Sequence, residues 1–167
     1  MPRGSKSVEE IFNEIEESIR SWILQDGASR IDITISNIGL YGQFDPQLTI
    51  DRVTRRVMPP YGMRLPFEEL RDAQAIPGRG AWTWCRLWMD VSDGVLHQEC
   101  DWMREPDFGS VPAGAGEYAI ELDIYPRDPD FVPEWLAERA AAYEKRKERN
   151  ARRREARRRK RERERGD

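Results

Sequence analysis

The segment Ala81–Met103, "AWTWCRLWMDVSDGVLHQECDWM", holds two alternating runs on either side of Asp93-Gly94. Asp-Gly between alternating apolar runs is a strong two-residue hairpin signal. With Asp93 and Gly94 as the central pair, Ser92 faces Val95 and a register follows. One face then carries Val91 with Leu96, Met89 with Gln98, Leu87 with Cys100, and Cys85 with Trp102. The other carries Asp90 with His97, Trp88 with Glu99, Arg86 with Asp101, and Trp84 with Met103. The first face is core-like. The second alternates aromatic side chains with charge pairs, and Arg86 opposite Asp101 is a favourable cross-strand contact. The same register makes Cys85 and Cys100 diagonal neighbours about 7 Å apart, too far for an easy disulfide and consistent with reduced thiols.

Upstream, Ser7 is positioned as an N-cap, with Glu9 and Glu10 in the first turn, where the helix dipole favours anions. Val8, Ile11, Phe12, Ile15, Ile19, Trp22 and Ile23 fall on one helical face, and Asp26-Gly27 stops the helix. Ile31, Ile33 and Ile35 alternate with polar residues as a half-buried strand; the parity shift at Ile38 and Leu40 predicts a bulge or turn near Ser36-Asn37. A second strand is expected over about Gln47–Val57. A short helix follows from Phe67 to Ala75, with Pro66 in its first turn.

Downstream, residues 104–116 are expected to form a loop or a frayed helix start. "YAIELDIY" (118–125) fits a strand by alternation and a helix by the spacing of Tyr118, Leu122 and Tyr125. "PRDPDFVPEW" turns into a last helix. From about Asn150 the chain is almost wholly Arg, Glu, Lys and Ala, with no apolar face to hold it to the rest. The reading is an α+β fold: an antiparallel sheet with a Trp-rich hairpin, packed by N- and C-terminal helices. The chain divides into a body over 7–138 and an Arg/Glu-rich tail, helical or disordered, over 139–167.

"FEELRDAQ", then "GRGAWTWCRLWMDVSDGVLHQECDW", then "YPRDPDFVPEWL" resemble, in order and spacing, the YezG-type immunity proteins of bacterial polymorphic toxin systems. The resemblance covers roughly residues 7–138 and leaves out the tail. Trp102 stands where such proteins tend to carry Tyr. The resemblance implies a small α+β protein that binds and neutralises a cognate toxin without catalysis.

Composition narrows the function independently. No apolar run approaches the roughly 20 residues of a membrane span, and no signal-peptide core opens the sequence, so a cytoplasmic location and no membrane partner are expected. Two cysteines without CxxC spacing make no zinc site. The lone histidine, His97, expected beside Asp90, has no serine or cysteine nucleophile placed with it, and a surface charge pair is the plainer reading. Glu99, Asp101, Glu105 and Asp107 cluster without an EF-hand pattern, so they read as a solvated acidic surface. No enzyme, cofactor or metal is expected.

The net charge of −3 conceals a segregation. Residues 139–167 carry 15 Lys/Arg and 6 Asp/Glu, a balance of +9, which leaves 13 basic and 25 acidic residues, or −12, in 1–138. An acidic body would be steered toward the basic active-site surface of a toxin that acts on nucleic acid or nucleotides. Trp84, Arg86, Trp88, Glu99, Asp101, Glu105 and Asp107 are therefore the candidate toxin contacts in a 1:1 complex. The competing reading buries Trp82, Trp84 and Trp88 as core. The tail allows a second function, nucleic-acid association, although its glutamates also suit a solvated helix and no aromatic residue follows Tyr143 to stack on bases.

Overall fold

The computed structural model describes residues 6–166; Asp167, the end of the predicted tail, lies outside them. Helix α1 (Val8–Asp26) starts with a capping box: the Ser7 hydroxyl accepts from the Glu10 amide at 3.2 Å, and the Glu10 carboxylate accepts from the Ser7 amide at 2.7 Å. Gly27, at φ 64°, ends it. Ile11, Ile15, Ile19, Trp22 and Ile23 are buried, as their spacing predicts.

Strands β1 (Arg30–Ile38), β2 (Tyr41–Ile50), β3 (Val53–Arg56), β4 (Trp84–Asp90) and β5 (His97–Asp101) form one antiparallel sheet in the order β3-β2-β1-β4-β5. The strand expected over 47–57 is instead the end of β2 and all of β3. They are joined at Asp51-Arg52, both at positive φ (49° and 65°). Without Gly or Asn, Asp51 is that turn's one weak sequence signal.

Helix α2 (Arg64–Ala73) and α1 cover one face of the sheet, burying Ile31, Ile33, Ile35, Cys85, Leu87 and Met89. Helix α3 (Glu117–Ile124) settles 118–124 as helix, with Tyr125 as its C-cap. With α4 (Glu134–Gly166) it builds a second core on the other face, at one end only, from Ile38, Phe108, Tyr118, Leu136 and Ala140. This replaces the bulge or turn expected near Ser36-Asn37; the chain turns only at Gly39-Leu40. The β1–β2 pairing runs unbroken to Ile38↔Tyr41, so Ile38 is apolar because its own face is covered at that point. α4 is continuous through position 139; Ala140 is buried and Tyr143 half-buried, and every residue from Glu144 to Gly166 is exposed.

The two layers are tied by buried charge. Glu121 of α3, wholly inaccessible, accepts from the Arg71 guanidinium at 2.8 Å and from the Gly39 amide at 2.8 Å. Arg127 lies 3.8 Å from the same carboxylate and donates to the carbonyls of Ala81, Trp102 and Phe131 at 2.9, 2.7 and 3.1 Å. Burial lowers the Arg127 pKa, and Glu121 opposes that shift. Gly80, at φ 80°, lets Arg127 approach: a Cβ there would sit 2.5 Å from its Nε. The "FEELR", "GRGAW" and "YPRDP" segments thus converge on this clamp.

Candidate interaction surface

The side of the sheet opposite α1 and α2 is built from alternate residues, and the register sets its rows. Arg30 lies beside Asp90, Asp32 beside Trp88, Thr34 beside Arg86, and Ser36 beside Trp84. β5 adds His97 next to Trp88, Glu99 next to Arg86, and Asp101 next to Trp84. The second core closes only the Ile38 end of this face. Among the described residues, no helix buries the rest: Trp84 and Trp88 are half-buried, Glu99 is exposed, and the Arg86 side chain is 40% exposed.

The charges here form a chain of pairs. Arg86 donates to Asp32 Oδ1 through Nε at 3.1 Å and Nη2 at 2.7 Å. Arg30 bridges Asp32 Oδ2 at 2.7 Å and Asp90 Oδ2 at 2.9 Å. Partial burial pushes the Asp32 carboxyl up, but the Arg30 and Arg86 donors outweigh it and hold the group below its ordinary value. The Arg86 guanidinium carbon is 4.9 Å from the centre of the Trp88 ring, and His97 stacks near Trp88 with centroids 5.3 Å apart. Arg104 lies 3.7 Å from the Trp84 ring centre and reaches Asp101 Oδ2 at 3.4 Å. Two aromatic platforms, each fixed by an arginine, sit among charges whose geometry is already set.

The structure corrects the predicted hairpin register. Asp93-Gly94 is not a two-residue turn; residues 91–96 connect the strands. The loop is drawn toward α1: Leu96 is buried, its amide donates to Glu16 Oε2 at 3.0 Å, and Arg20 donates to the Gly94 carbonyl at 2.8 Å. The pairing therefore slips by two residues. A slip of two keeps every side chain on its expected face but changes its neighbour. Arg86 faces Glu99 rather than Asp101, and its ion pair is with Asp32. Trp88 faces His97 rather than Glu99. His97 lies not beside Asp90 but 3.6 Å from Asp93. Cys85 and Cys100 are directly opposed, not diagonal, with Sγ atoms 2.9 Å apart as free thiols. Burial pushes the Cys85 thiol far above its ordinary range.

Trp84, Arg86, Trp88, Glu99 and Asp101 come together on this face; Glu105 and Asp107 do not. Glu105 pairs with Arg139 of α4, and Asp107 accepts from the Gly109 amide at 2.8 Å within its own turn. The carboxylate cluster read from the sequence is thus dispersed, and Asp101 is occupied by the amides of Met103 and Arg104 at 2.9 and 3.1 Å. Trp82 leaves the stripe: the chain bends before β4, and Trp82 is 1% exposed against α2, its Nε1 donating to Gln74 at 2.9 Å. Arg30, Asp32 and Asp90, absent from the sequence-based site, belong to it. The alternation of Arg30 and Asp32 in β1 was visible; the β1–β4 pairing that sets them beside Asp90 and Trp88 was not.

No family model matches the chain, and none of the curated proteins matches it.

Proposed function

We propose that this protein is an immunity protein of the YezG type, acting in the cytoplasm, that binds a cognate bacterial toxin one to one and occludes its active site without catalysis. The observation that carries this reading is the uncovered sheet face, where Trp84, Arg86 and Trp88 stand half-buried inside a ring of charges. Trp and Arg in a partly desolvated patch with a polar rim are the composition of binding hot spots. The pairs around Asp32 hold Arg86 in place before any partner arrives, which lowers the ordering cost of association.

The −12 balance of residues 1–138 supports a toxin with a basic active-site surface, one that acts on nucleic acid or nucleotides. The quoted resemblance supports the same role, and its motif residues Arg71 and Arg127 serve the fold, leaving the sheet face free to differ with the partner.

The test is whether a neighbouring gene encodes a toxin whose C-terminal domain the purified protein binds in calorimetric titration, together with survival of cells expressing both. Stoichiometric binding that Trp88→Ala weakens, with survival lost in step, supports the proposal. Absence of binding between two folded proteins overturns it.

A further inference from the structure

The exposed part of α4 has a charge pattern that its composition hides. Between Glu144 and Gly166 there are 14 Lys/Arg and 5 Glu. At about 100° per residue, Glu144, Glu148, Glu155 and Glu162 fall within about 40° of one another, a narrow acidic stripe. Arg146, Arg149, Arg153, Arg157 and Lys160 follow each other at spacings of three and four on the opposite side. The remaining arginines flank that ridge, so most of the circumference is basic. Glutamates of the stripe take up neighbouring side chains, as in Arg159–Glu155 and Arg158–Glu162. Arg146, Arg149, Arg153 and Arg157 make no ion pair among the described residues. The ridge ends at Lys160, which meets Glu164 at 3.7 Å.

This helix is an arm. Its exposed residues span about 34 Å, several times the Debye length of about 8 Å at physiological salt, so most of it lies beyond the acidic field of the body. We propose that residues 144–166 bind double-stranded DNA, the helix lying in the major groove and holding phosphates through the Arg146–Lys160 ridge and its flanking arginines, without reading sequence. A helix about 10–12 Å across fits the B-form major groove, about 12 Å wide. Basic side chains over most of the circumference then reach both phosphate walls, while the glutamate stripe faces solvent.

The chemistry disfavours other polyanions. Residues 144–166 hold no aromatic side chain on which single-stranded bases could stack. The A-form major groove of duplex RNA is too narrow to admit the helix. No large apolar side chain lies between Glu144 and Gly166 to enter a lipid interface. The arm acts whether or not the sheet face binds a toxin.

The experiment is fluorescence anisotropy of the full chain with a labelled DNA duplex of about 20 base pairs, comparable to the arm with room to spare, titrated over a range of salt. The expected result is binding indifferent to sequence, with log K falling against log salt at a slope of about −4 to −5. Arg153→Gln with Arg157→Gln should weaken binding about tenfold and reduce the slope by about 2, while the thermal melt of the body stays put. Glu148→Gln with Glu155→Gln should bind as well or better. Absence of binding at low salt overturns the proposal, as does an Arg153/Arg157 variant that binds unchanged. Equal or tighter binding to single-stranded DNA, duplex RNA, anionic phospholipid vesicles or polyglutamate overturns it too, assigning the arm to that partner or to polyanions in general.

Discussion

Arg71 and Glu121 form an ion pair inside the protein, with side chains only 4% and 0% exposed, joining a helix that covers one face of the sheet to the helix that closes one end of the other. A charge buried this far is tolerated because every oxygen has a donor: Arg71 reaches both, and the Gly39 amide adds a third bond. Removing one partner leaves an uncompensated charge. Glu121→Gln should cost about 3–5 kcal/mol in urea unfolding. Asp32→Asn, which breaks a partly exposed pair, should cost about 1 kcal/mol or less. Equal effects would mean that the clamp does not join the layers.

The quoted tryptophans should separate cleanly. Trp82→Ala removes a fully buried ring and is expected to cost about 3–5 kcal/mol of stability. Trp88→Ala should weaken toxin binding by about 2 kcal/mol or more while shifting the melt far less. Melts and affinities on the same two variants check this; a Trp88→Ala protein with wild-type affinity would remove the sheet face from the interface.

Glu99 is exposed beside Arg86 and makes no side-chain hydrogen bond or ion pair among the described residues, so it serves as a rim charge. Glu99→Lys should slow association with a basic toxin and flatten its salt dependence, leaving dissociation nearly unchanged, as stopped-flow mixing would show. Asp101 is a poorer choice, because its carboxylate also caps the Met103 and Arg104 amides.

Acid should weaken the open face through Asp32. Burial raises its folded pKa, and Arg30 and Arg86 together lower it by more, so the folded value is depressed; its contribution is complete above the ordinary carboxylate range and is lost as pH falls through the folded value. Urea midpoints measured from neutral pH to below about pH 4 should fall less steeply for Asp32→Asn than for the wild type.

Deleting the chain from Asn150 onward should leave the melting temperature unchanged within about a degree, since no described residue beyond Tyr143 is buried. Loss of cooperative unfolding in the truncated protein would show that the arm supports the body.

Much of the architecture was legible in particular residues. Ser7, Glu10 and Gly27 bound α1; the isoleucines gave it a face; alternation over Ile31–Ile35 and Trp84–Asp90 gave the two central strands. These signals are local, because capping and periodicity act within a few residues. The faces of the hairpin were also legible, since the side-chain period of two survives a slip of two. The neighbours were not: the turn is held by Glu16 and Arg20, 80 and 74 residues away in the chain. Local pattern determined which side of the sheet each tryptophan of β4 would occupy. Only the tertiary structure decided that Trp82 turns inward, that α3 and α4 cover one end and leave Trp84 and Trp88 open, and that Asp32 rather than Asp101 holds Arg86, because those outcomes depend on which strands and helices meet and no local pattern records that.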